Sequence, residues 1–354
     1  MLAKNFGLMV ARGLGQALRL FQRRNVSAKA IYILMKRPLG IGDLMMLSPF
    51  IIEVARRAKG TPTYLVTEHE PFMHLDNVTW ILPAQLSRRA CRSALLVSPT
   101  LSWRHTPYLC YAGWYIGYFF SERVTCNFSS ESPSYDGREG HYYDRVERLL
   151  SILDRWLPGE TSSRSYAKIC STSIAKFNLP EQYVCIAPYV GWDERQYPIA
   201  HLASVVEKLL PVISIVLVGG NDPAEKRMSE ILAQQRVINL VGKTTLSEAA
   251  GIIYNASLFI GNDSGLAHIA VLGGIWSIVM FGCVGGYQRI PLDSALARNA
   301  KFIGAGKSCR HFPCYDGFNK PCCRNDHRYK CLSDLAPDMV VEMSVNFLKD
   351  QKNS

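Results

Sequence analysis

The first 42 residues contain no aspartate or glutamate. The chain also has no uninterrupted apolar stretch of the roughly 18 residues that a membrane-spanning helix needs. Tyr108 to Phe120 is too short, and Leu266 to Gly282 is broken by His268 and by Gly273-Gly274. No internal repeat of the solenoid or propeller kind is present. The 26 Gly and 18 Pro follow no period, which excludes collagen-like and low-complexity readings. Charged residues make up 19%, too few for a disordered polyelectrolyte. Interleaved basic and aromatic motifs of the nucleic-acid binders are missing, so no nucleic-acid partner is expected. Asp-x-Asp metal pairs and the tight C-x2-C pairs of zinc ribbons are missing too.

What is present is a globular composition, 48% hydrophobic over 354 residues, long enough for two domains at about 150 residues each. The net charge is +11, and it is front-loaded: Lys4, Arg12, Arg19, Arg23, Arg24, Lys29, Lys36 and Arg37 all precede the first acid. Such a balance suits nucleic acid, an anionic membrane or phosphorylated substrates. Residues 4–24 read as an amphipathic helix, with Phe6, Val10, Leu14 and Phe21 on one face and Lys4, Arg12, Arg19 and Arg23 opposite. That face fits a membrane interface or the protein's own surface equally well. Arg12 and Arg19 interrupt what would be the core of a secretion signal, so a cleaved leader is not expected. Eleven cysteines, an odd number without that signal, favour a reducing compartment.

Strand-like and helix-like segments then alternate. The spacing predicts strands at 30–35, 63–67, 78–82, 94–97, 184–187, 213–218, 237–240, 258–260 and 277–281. It predicts helices at 44–57, 146–156, 199–210, 223–235, 246–254, 265–272 and 336–348. Alternation of this kind implies α/β domains with parallel sheets and right-handed crossovers. The expected organisation is a basic N-terminal helix (1–28), a first Rossmann-like domain (29–170), a linker (171–182), a second domain (183–335) and a closing segment (336–354) that returns to the first. Ligands of doubly wound folds bind outside the carboxyl ends of the strands.

Certain strand-end loops carry chemistry. Gly40-Ile41-Gly42-Asp43 follows the first strand; Asp43 is either a functional carboxylate or a helix cap. Gly261 to His268 reads strand, turn, helix, and its Asp263, Ser264 and Gly265 suit an anion at a helix start. His268, one turn further, is a site residue or a core histidine. Arg195 lies in the loop Trp192 to Pro198, as a phosphate-binding fork or a solvated arginine. Gly219-Gly220-Asn221-Asp222 is a glycine-rich turn without the fuller dinucleotide fingerprint.

In this order along one chain, the motifs resemble glycosyltransferase family 9, the heptosyltransferases of lipopolysaccharide core assembly. The resemblance is carried by Gly42-Asp43, by Arg195-Gln196-Tyr197-Pro198, by Leu240 to Glu248 (LVGKTTLSE) and by Asn262 to Ala270 (NDSGLAHIA). It implies a GT-B architecture of two Rossmann-like domains with a cleft between them. It also implies inverting, metal-independent transfer of a sugar from a nucleotide diphosphate, the donor being an ADP-sugar such as ADP-heptose. Carried over by position, Asp43 is the general base beside the acceptor loop at Gly42. Arg195 replaces a lysine at the diphosphate, Thr244 and Leu246 fall at the adenine, and Asp263, Ser264, Gly265 and His268 fall at the phosphates and sugar. No cofactor is required. The acceptor is a lipid-linked glycan, and residues 1–25 place the cytoplasmic protein on the inner face of the inner membrane. A nucleotide-sugar epimerase of the same shape, or a family 9 transferase with another donor, is the alternative. Cys309, Cys314, Cys322 and Cys331 form a C-terminal cluster open to a structural zinc, a disulfide or, the favoured reading, reduced packing thiols.

Overall fold

The computed structural model describes residues 28–35, 40–98, 114–117, 150–151, 153–154, 157–159, 165–233, 236–286, 289, 294–304, 309, 312, 314 and 329–352. The chain divides into two units: Met1–Gly40 with Leu47–Ala167, and Ile41–Met46 with Lys168–Ser354.

The first unit holds a five-stranded parallel sheet of order β3-β2-β1-β4-β5. Its strands are β1 (Ala30–Leu34), β2 (Thr63–Val66), β3 (Val78–Ile81), β4 (Ala94–Ser98) and β5 (Trp114–Gly117). β1 and β4 read AIYIL and ALLVS and are buried almost throughout, as strands of a sheet covered on both faces must be. Helix α1 (Ile41–Arg57) leads from β1 towards β2 and carries Asp43 in its first turn and Arg56 and Arg57 in its last, matching its dipole at both ends. Arg57 is 0% exposed in its side chain and meets Glu53 at 2.5 Å, while Asp154 pairs with its other edge. A short helix α2 (Arg88–Cys91) starts on the Ser87 cap.

The second unit is a six-stranded parallel sheet of order β11-β10-β9-β6-β7-β8. Its strands are β6 (Tyr183–Ala187), β7 (Ser214–Leu217), β8 (Val237–Asn239), β9 (Leu258–Asn262), β10 (Ser277–Met280) and β11 (Ala300–Ile303). Both orders are those of the doubly wound Rossmann arrangement, which reverses direction between its first and fourth strands. Those neighbours are β1 and β4 in the first unit, β6 and β9 in the second. Helices α3 (Ile199–Leu209), α4 (Pro223–Leu232), α5 (Leu246–Tyr254) and α6 (Gly265–Leu272) alternate with the strands. Three have side-chain caps: Asp222 on α4, Thr245 with Glu248 on α5 and Ser264 on α6. Helices α7 (Ser294–Arg298), α8 (Lys330–Ser333) and α9 (Pro337–Lys352) complete it.

Several boundaries differ from those the sequence predicts. The segment expected as a linker, 171–182, is held by the second unit. Thr172 N–H donates to Ser247 O at 3.3 Å and Lys176 pairs with Glu248 at 2.6 Å, both on α5. The closing helix α9 belongs to the second unit rather than the first, because its apolar stripe packs there: Val340 and Phe347 join the core of α3 and the sheet, with Phe347 4.7 Å from the Trp276 ring. Helix α1 starts at Ile41, three residues before the expected Leu44, and its first turn clusters with the second unit. α7 and β11, absent from the predicted elements, lie between β10 and the C-terminal cysteines. The basic segment 1–25 lies outside the described residues, and so does most of Tyr108 to Phe120, in which Trp114–Gly117 forms β5.

Candidate functional site

The site is built where β6 and β9 end side by side. Their pairing brings Ala187 opposite Gly261, so the loop 188–198 leaves the sheet next to Asp263. That loop is fixed by amides. Gln196 accepts from Val190 N–H at 3.0 Å and donates to Pro188 O at 2.8 Å, and Asn262, fully buried, accepts from Tyr197 N–H at 2.8 Å. Tyr197 is itself core: its hydroxyl donates to Leu335 O at 2.9 Å. Tyr197 thus packs under the loop rather than facing the site.

Within the loop, Asp193–Arg195 is a single 3₁₀ turn. It presents Arg195 to Asp263, with Nη1 3.4 Å from Oδ2. Asp263 is 2% exposed, and its Oδ2 accepts no hydrogen bond among the described residues. Ser264, not Asp263, caps α6, accepting from Ala267 N–H at 3.5 Å. Asp263 is therefore not spent on a cap, and its carboxylate faces the charges around it.

His268 turns back from the first turn of α6, with Nε2 3.7 Å from Asp263 Oδ1. Burial pushes its pKa below the ordinary histidine value. Asp263 opposes this, Arg289 adds to it, Asp43 opposes it and Arg195 adds to it.

The first turn of α1 completes the arrangement. A Cβ at Gly42 would lie 2.4 Å from His268 Cδ2, and one at Gly265 would lie 3.4 Å from Ile41 Cβ and 3.5 Å from Gly42 N. Two helix starts therefore abut, α1 and α6, and at Gly42 a side chain would run into the His268 ring. Asp43 is the third residue of α1, so it is not the cap, and it acts electrostatically on His268. The positive ends of two helix dipoles and Arg195 converge here, the usual provision for an anion.

Other predicted residues lie along the neighbouring strand ends. Thr244 Oγ1 is buried and has no hydrogen-bond partner among the described residues, and Leu246 opens α5 beside it. The β7 loop reaches the same edge: Gly242, at φ +72°, approaches Asn221 and Lys226. Beneath the loop Glu225 is buried against Gly219 and bonded by the Gly220 N–H, and burial raises its carboxyl pKa.

Sequence reasoning missed the residues that hold Arg195. Trp192 lies under its guanidinium, 4.4 Å from ring centroid to Cζ. Cys283 also contacts it; burial pushes that thiol up to about 12, with Arg195 lowering it. Gly282 packs so closely on Glu194 O that a Cβ would stand 2.2 Å away.

Of the C-terminal cysteines, Cys331 is buried, Cys309 half-buried and Cys314 exposed, and Cys322 lies outside the described residues. No group of three potential metal ligands occurs among the described residues. No described helix is long and apolar enough to cross a membrane.

The family model of glycosyltransferase family 9 (heptosyltransferase) matches residues 144–309. Lipooligosaccharide heptosyltransferase 2 of Campylobacter jejuni is 32% identical over 141 residues, 38% of this chain and 41% of that protein. The chain thus spans about two-fifths of the length of this curated relative. The structure of Escherichia coli ADP-heptose LPS heptosyltransferase II superposes with a TM-score of 0.63 at 16% identity, covering 91% of this chain and 99% of that one. The family 9 glycosyltransferase of Veillonella parvula gives 0.69 at 16% identity, covering 91% and 98%. These likenesses show the fold, the GT-B class with two Rossmann-like units. In motif and in fold this chain is similar to the family 9 glycosyltransferases, and residues 144–309 match that family's model.

Proposed function

We propose that the protein is a glycosyltransferase that moves heptose from ADP-heptose to a lipopolysaccharide-core or related glycolipid acceptor. The observation that carries this reading is the abutment of the first turns of α1 and α6. It sets Asp43 within electrostatic reach of His268 and close to the Arg195–Asp263 pair.

In this reading Asp43 takes the proton from an acceptor hydroxyl as that oxygen bonds to the anomeric carbon. The bond from that carbon to the β-phosphate oxygen breaks, and ADP leaves with the electron pair. Arg195 and the N–H groups at the start of α6 meet the growing negative charge. Attack opposite the leaving group inverts the anomeric centre. Thr244 and Leu246 border the adenine, and Asp263 accepts from a sugar hydroxyl, since a carboxylate is a poor neighbour for phosphate. With a guanidinium and two helix dipoles at the diphosphate, a divalent cation is not needed.

Turnover tests the assignment. Asp43→Asn and Asp43→Ala should each lose about 10²–10⁴-fold in kcat, with ADP affinity kept, and EDTA should leave the wild-type rate unchanged. Variants that turn over at near wild-type rates would remove Asp43 from the chemistry, and loss of activity in EDTA would remove the metal-free step.

A further inference from the structure

We propose that Trp192 is a positioning residue for Arg195, fixing the plane of the guanidinium that meets the donor diphosphate. This rests on the reading of Arg195 given above and extends it to a residue outside the motifs that carry the resemblance.

Trp192 caps a 3₁₀ turn, and its carbonyl accepts from Arg195 N–H at 2.9 Å. That bond holds Trp192 and Arg195 at the two ends of one short turn, and the observed 4.4 Å separation is that of a cation over a ring face. The turn in its turn is anchored: Cys283 N–H donates to Glu194 O at 3.3 Å, and Gly282 lies against the same carbonyl.

Next comes the competition for Arg195. Asp263 is buried at 3.4 Å, yet the pair falls short of hydrogen-bond geometry, and Asp263 Oδ2 stays without a hydrogen bond. A guanidinium drawn by charge alone would turn an edge into that carboxylate. One held by its face is kept from doing so, and its edges are aligned for acceptors lying in its plane, as phosphate oxygens do. An ammonium has no plane to fix. The stack thus accounts for arginine, where the family pattern has lysine.

The test is binding of ADP and of AMP, measured by calorimetry. Trp192→Leu should weaken ADP about tenfold, the scale of a partly buried cation–π contact, and leave AMP within about twofold. In an Arg195→Ala background the same substitution should change neither. Trp192→Tyr and Trp192→Phe, carried through both backgrounds, should fall between, so the result does not depend on the leucine variant folding. Equal weakening of ADP and AMP, or a Trp192 effect that persists without Arg195, would overturn the proposal. The parent reading fails separately: Arg195→Ala with unaltered ADP affinity would remove Arg195 from the diphosphate, whatever Trp192 does.

Discussion

His268 is the residue whose surroundings contain most of the site's charges. Its depressed pKa comes first from burial, with Arg289 and Arg195 acting the same way against Asp263 and Asp43. In the unfolded chain the ring titrates near its ordinary value of about 6.5. Below that pH the unfolded state binds the proton more readily than the folded one, so stability falls as pH falls through that value. Above it, the neutral ring costs nothing. Wild type and His268→Gln, compared by urea midpoints from about pH 7.5 to about pH 5, should diverge, with the wild type losing more on acidification. Parallel curves would show that the ring is not held neutral. Gln196 and Asn262 matter at this scale too: both are spent on backbone groups of the loop that carries Arg195.

Among the elements, the basic N-terminal segment is the one whose role rests on sequence alone. If residues 1–25 form a helix on an anionic bilayer, each Lys or Arg near the surface adds about 1 kcal/mol. Deleting them should release the protein from phosphatidylglycerol vesicles at low salt, and unchanged sedimentation with the vesicles would end that idea. Helices α5 and α6 were legible to the residue, because Thr245 and Ser264 write their caps into the sequence. Strands β6 and β9 announced themselves as unbroken apolar runs. The start of α1 was not legible: Gly40-Ile41-Gly42 reads as a turn, and only the close approach to His268 and Gly265 explains glycine inside a first helical turn. β11 (AKFI) escaped because four residues carry too little periodicity to separate a strand from a helix segment. The site was legible as a set of motifs, Asp43, Arg195 and Asp263 among them. Its support by Trp192 and Cys283 was not, since it depends on a 3₁₀ turn and on a contact from the end of β10.

For the whole molecule, the donor base is the specificity to establish. ADP at about 100 times its dissociation constant should stabilise the folded chain by about 2.7 kcal/mol. UDP, GDP and CMP at the same concentration should shift the melting temperature far less. A larger shift with UDP would reassign the donor. Position 42 carries a further consequence, at the level of the gene. Any single-base change in a glycine codon that alters the residue and keeps the frame open adds at least a β-carbon, and that carbon would fall 2.4 Å from the imidazole of His268. Neutral drift at this codon is confined to synonymous bases for as long as the imidazole keeps its place, while at Gly191, in the loop before Trp192, a β-carbon would meet nothing within 4 Å.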